Sequence, residues 1–171
     1  MNIAYTIAPG RGDTDLLLQR LATDLAARGV RTCGTVQINS ERPGSLPCDM
    51  DIQVLPAGPV LRISQELGAG SRGCRLDPAA LEQAVALCEA EVAEGPDILI
   101  INKFGKHEAE GRGFRALIAE ALGQGIPVLV GLNRLSREAF DKFCEGLAVE
   151  LAPDIQALRG WAEQVLALER V

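Results

Sequence analysis

Between Asn102 and Glu110 the sequence gathers groups able to handle a phosphate or another oxyanion. Lys103 and Lys106 supply positive charge, Glu108 and Glu110 supply carboxylates, and His107 is the chain's single histidine. Gly105, Gly111 and Gly113 make the same stretch a loop whose backbone N–H groups can approach a ligand closely. Lys106, His107 and Glu108 are therefore the candidate catalytic residues, with His107 beside Glu108 as acid or base. Plainer roles stand next to these, since a lone loop histidine is commonly a hydrogen-bonded surface residue and loop cations are commonly solvated.

A second cluster is the turn Gly10-Arg11-Gly12-Asp13-Thr14. A phosphate loop surrounds an anion with backbone N–H groups and a helix N-terminus, adds a lysine for the outer phosphates, and places a Ser/Thr hydroxyl on magnesium. Gly10, Gly12 and Thr14 fit the end of that pattern, but Asp13 stands where the lysine belongs and Ile7 where the first glycine belongs. An aspartate there repels a triphosphate, and its plainer role is to cap the helix that follows, with Asp15 favourable near the positive helix end. Arg72 and Arg75, from the Gly-rich stretch 65–77, join Asn102, Lys103 and Gly105 to complete the candidate ligand-binding set.

These residues need a scaffold. Ile98 to Ile101 is a run of four apolar residues after Pro96, the pattern of a strand buried on both faces. Ligands of open α/β sheets sit beyond the carboxyl ends of such strands, which is where Asn102 to Gly113 must lie. Before it come a strand over 2–8, a helix over 14–28 and a strand over 30–38. Two runs, 51–55 and 60–64, flank Pro56-Ala57-Gly58-Pro59 as an antiparallel hairpin. Asp77-Pro78 opens a helix reaching about Glu94, with Asp77 as its cap. After the central strand follow a helix over 113–122, a strand over 127–131, a helix over 136–145, a strand over 147–151 and a final helix over 153–168. The alternation predicts an α/β fold, a mostly parallel sheet with helices on both faces and an inserted β-hairpin. Residues 1–171 read as a single domain, with 39–76 as an insertion too poor in apolar residues for its own core.

Composition narrows the classes. A chain of 171 residues, 47% hydrophobic, suits one domain by the prior of roughly 100–200 residues each. The net charge of −6 without a basic block speaks against nucleic acid and anionic membranes. No apolar run approaches the ~20 residues of a membrane span, and the first residues lack a charged leader, so a cytoplasmic protein is expected. Cys33, Cys48, Cys74, Cys88 and Cys144 form no C-x-x-C pair and predict reduced thiols without a metal site; Cys88 and Cys144 fall in helical patterns as core residues. Cys48 and Cys74, in loop-rich sequence, are the two with scope for another role. Trp161 reads as a core residue of the last helix.

The first turn, the strand ending in Asn102-Lys103-Phe104-Gly105-Lys106-His107-Glu108, and the helix of Phe114 to Ile118 resemble the small P-loop nucleoside-triphosphatases first described from thermophiles. The chain also looks like a bacterial domain-of-unknown-function family related to them, on the segments at 48–50, 63–68, 73–77 and 102–106. That family carries a faint association with molybdate-transport genes. In the triphosphatases the strand ends Asp-Glu-Ile-Gly-Lys-Met-Glu, with the aspartate positioning magnesium and the glutamate polarising water. Here Asn102 and Lys103 occupy those places while Gly105, Lys106 and Glu108 are kept. The resemblance thus implies a P-loop-like scaffold with degenerate Walker motifs, magnesium not held in the usual way, and an Asp13–Lys103 ion pair across adjacent strand ends. The favoured function is a nucleotide- or oxyanion-binding protein with little or no hydrolysis. The alternatives are a phosphohydrolase with altered residues and a metal- or protein-interaction module using Cys48 and Cys74. Self-association is left open.

Overall fold

The computed structural model describes residues 1–40, 49–66 and 75–169. Its strands are β1 (Ile3–Thr6), β2 (Thr32–Ser40), β3 (Asp49–Leu55), β4 (Val60–Arg62), β5 (Ile98–Ile101), β6 (Val128–Gly131) and β7 (Val149–Leu151). Its helices are α1 (Asp13–Ala27), α2 (Pro78–Ala93), α3 (Lys106–Ala109), α4 (Arg115–Gly123), α5 (Arg137–Phe143) and α6 (Ile155–Glu169), with a 3-10 turn at Arg134–Ser136. The strands form one sheet in the order β4-β3-β2-β5-β6-β1-β7. From β2 to β7 neighbouring strands are parallel, whereas β3 and β4 run antiparallel. The inserted hairpin therefore extends the sheet at one edge.

Strand alternation divides the core between the two faces. Leu99 and Ile101 of β5 join Leu81, Val85 and Cys88 of α2, Leu117 and Ile118 of α4 and Phe140 of α5. Ile98 and Ile100 join Leu18, Leu21 and Leu25 of α1 and Leu158 and Val165 of α6 on the opposite face, where half-buried Trp161 packs. All four residues of β5 are fully buried, so this strand has no solvent face and its polar groups can emerge only at its end.

Asp77 caps α2 as expected, accepting from the N–H groups of Ala79 and Ala80 at 3.0 and 3.3 Å. Asp13 does not cap α1. The cap is Gly12, in the left-handed conformation at φ 79°, and no side chain bonds there. Asp13 is the first helical residue and lies back over Gly10, where a Cβ would overlap its carboxylate. Among the described residues no helix is long and apolar enough to cross a membrane.

Candidate functional site

The turn after β1 is closed by local bonds. The Thr14 hydroxyl accepts from the Ala8 N–H at 3.1 Å, and the Asp13 N–H donates to the Gly10 carbonyl at 3.3 Å. Ile7 is half-buried and packs against the core. An apolar side chain in that place anchors the strand end where a glycine would have left room.

Asn102, only 5% exposed, ends β5 in a polar network. Its Oδ1 accepts from the backbone N–H of Gln37 at 2.9 Å, and that backbone donor fixes the amide orientation. Its Nδ2 must then face Asp15, donating to Oδ1 at 2.9 Å and to Gln37 Oε1 at 3.3 Å. Asn39 completes the cluster by donating to Asp15 Oδ2 at 2.9 Å and accepting from Gln37 Nε2 at 2.7 Å. The start of α1 is thereby tied to β2 and β5. An N–H donor cannot ligate a cation, and Asn102 presents one to Asp15 where the resemblance implies a magnesium-positioning aspartate, so Asn102 does not fit that ion.

The expected Asp13–Lys103 contact does not form. Among the described residues these two make no ion pair, because β6 lies between β1 and β5 and their strand ends are not adjacent. Gly131 permits this arrangement, since a Cβ there would overlap the Asn102 carbonyl and meet Thr14 Cγ2 and Leu18 Cδ1 at 3.0 Å. The contact across this gap is Asn102 on Asp15 instead.

Phe104 fixes the loop that follows. It is fully buried, its ring centroid 5.2 Å from that of Phe140, and its N–H donates to the Gly131 carbonyl at 3.0 Å. Burying Phe104 turns its neighbour Lys103 out to solvent. Glu108 is 3% exposed and brackets the loop: Oε2 accepts from the Gly105 N–H at 2.9 Å and Oε1 from the Phe114 N–H at 3.2 Å. Gly113, at φ 59°, leaves the space the carboxylate fills. Lys106 is 87% exposed, with Nζ 3.9 Å from Glu110 Oε1. His107 is half-buried, and its carbonyl accepts from the Arg112 N–H at 2.8 Å.

Two adjoining clefts, each of about 470 Å³, open at this edge. Gly10, Gly12, Thr14, Asp15 and Arg134 line the one beside the turn. Arg75, Gly105, Lys106, His107 and Glu108 line the one beneath the hairpin. Arg11, Gln37, Met50, Asn102 and Lys103 belong to both. The predicted residues thus fall into two groups, and Asp13 lines neither cleft. Arg72, Cys48 and Cys74 lie outside the described residues. Among the described residues no group of three or more His, Cys, Asp or Glu side chains could hold a metal ion. Arg11, Gln37 and Met50 line both clefts without belonging to the ligand-binding set expected from the sequence. Gln37 and Asn39 carry a faint signal, two polar residues at period two near the carboxyl end of a strand.

Known proteins share this architecture. The chain is 36% identical over 159 residues, 93% of its length, to the Molybdenum import ATP-binding protein ModC 2 of Bradyrhizobium diazoefficiens, and spans 18% of that protein. It superposes on a human cancer-related nucleoside triphosphatase with a TM-score of 0.62 at 19% identity, covering 99% of this chain and 98% of that one. The corresponding values for THEP1 from the hyperthermophile Aquifex aeolicus are 0.61 and 18%, over 98% of each chain. At these identities the likeness is one of fold, the P-loop fold expected from the sequence. The model of the family described as "Protein of unknown function (DUF2478)" matches residues 3–161, and the chain belongs to that family.

Proposed function

We propose that this protein binds a nucleotide phosphate or a comparable oxyanion beyond the carboxyl ends of β1, β5 and β6, without magnesium and with little or no hydrolysis. The observation that carries this is the Asn102 network, in which an amide hydrogen-bonded to Asp15 and Gln37 stands where metal-assisted hydrolysis needs an acid. Arg11 and Lys103 supply the attraction. Both are exposed, both line the two clefts, and among the described residues neither has a hydrogen bond or ion pair. The backbone of 10–14 and Thr14 position the anion, and Asp13 stays outside. Gly105 and Glu108 hold the loop, since a carboxylate with both oxygens on backbone N–H groups is poorly placed to activate water. Lys106, His107 and Arg75 complete the basic edge of the hairpin-side cleft. The relative named as a molybdenum importer's ATP-binding protein makes ATP and molybdate the first probes to use.

Titration with ATP, GTP, orthophosphate and molybdate tests this, with phosphate release followed in parallel. At least one of these anions binds, and Arg11→Ala and Lys103→Ala each weaken it about tenfold or more, since a hydrogen bond to a charged group contributes about 1.5–3 kcal/mol. Binding indifferent to both substitutions, or no binding of any of the four, overturns the proposal.

A further inference from the structure

The hairpin-side cleft has a character that an inorganic anion does not use. Its floor is apolar, formed by Met50 and Ile52 of β3, by Leu76 and by Phe114, whereas Lys103 and Arg112 stand at its rim. Met50 and Ile52 are two residues apart on one strand and so share a face; Leu76 is held beside it by its bridge to Ser64. Phe114 is fixed there by its N–H on the Glu108 carboxylate at 3.2 Å. A hydrated oxyanion gains nothing from this floor, and a purely apolar guest gains nothing from the rim. The cleft's volume of about 470 Å³ lies within the range of roughly 300–1,000 Å³ usual for small-molecule sites.

We infer that this cleft is a second binding site, for a small organic acid whose flat apolar ring carries a phosphate or similar oxyacid group. The ring lies on Met50, a side chain that adapts to irregular shapes, and over Phe114, while the acid group meets Lys103 and Arg112. Arg112 is paired with exposed Glu110, so the guest's acid takes over a contact already formed at the surface. Leu76 and Arg112 line this cleft and not the turn-side one, so the two sites are separable by mutation.

Calorimetric titration of the full chain with 1-naphthyl phosphate, GMP and inorganic phosphate is the test. 1-Naphthyl phosphate should bind at least tenfold more tightly than inorganic phosphate. Arg112→Glu and Leu76→Ser should each weaken it tenfold or more, and neither should alter inorganic phosphate at the turn. GMP binding with the same sensitivity identifies a nucleotide as the natural source. GMP failing where 1-naphthyl phosphate succeeds identifies another aromatic acid, and either result supports the site. Equal affinity for 1-naphthyl phosphate and inorganic phosphate, or an effect of only one variant or of neither, overturns it. Arg112 has a side-chain exposure of 56%, so its variant tests the site without a folding defect. Failure of Arg11→Ala to affect orthophosphate would count against the turn-side proposal alone.

Discussion

Replacing Asn102 with aspartate changes one atom's chemistry and reverses the logic of the strand end. The new carboxylate would face Asp15 where Nδ2 now donates at 2.9 Å, turning a hydrogen bond into like-charge repulsion in a site that is 5% exposed. Asn102→Asp should therefore destabilise the metal-free protein by roughly 1–3 kcal/mol, the usual cost of an unpaired buried polar group. Two facing carboxylates are also what a hard divalent cation seeks, so magnesium or manganese should restore the loss. Thermal unfolding of both proteins with and without magnesium checks this. The wild-type midpoint should not move with the metal, and the variant's should rise.

The loop from Asn102 to Phe114 behaves as one element because a few buried groups tie it down, Phe104 at one end and Glu108 across its middle. Glu108→Ala would leave the Gly105 and Phe114 N–H groups without their acceptor, at a cost of roughly 2–5 kcal/mol in urea unfolding. Glu108→Gln, which keeps an acceptor oxygen, should lose less. The position of this loop was legible in sequence, because four apolar residues followed by lysines and glycines imply a buried strand feeding a polar mouth. So were Asp77 as a cap and the hairpin, whose signals are local. What the sequence did not disclose depends on strands far apart in the chain. Gln37 and Asn39 reach Asn102 and Asp15 only once β2 pairs with β5, and Asp13 is parted from Lys103 only once β6 enters between β1 and β5. A charge exchange inferred from motif positions assumed a strand order that the sheet does not have. The short α3 also escaped notice, since Lys106–Ala109 is a single turn held by Glu108 reaching back to Gly105.

Taken whole, the molecule carries a net charge of −6, yet Arg11, Lys103, Lys106 and Arg134 gather at the mouth of its clefts. The anion binding proposed there would be a local field effect and should weaken as salt shortens the screening length to about 8 Å at physiological ionic strength. Alkaline stability also belongs to this scale. Burial, with Asp141 nearby, pushes the Cys144 thiol from its ordinary value of 9.0 up to about 12. A hydrogen bond with Cys33, then burial, raises Cys88, and burial, then Glu150, raises Tyr5. Each group holds its proton more tightly when folded, so its contribution is fully present below the unfolded value and lost as pH rises toward the folded one. Unfolding free energy should accordingly be flat up to about pH 8.5 and fall steadily above it, as the unfolded thiols begin to ionise. Denaturant titrations between pH 7 and pH 11 measure that slope. The decisive measurement for a P-loop scaffold that holds its anion without a metal is calorimetric titration of ATP into the wild-type protein with and without magnesium. Binding no weaker without magnesium than with it, and no continuing heat of hydrolysis, is the expected result; binding that requires magnesium, followed by steady turnover heat, would overturn it.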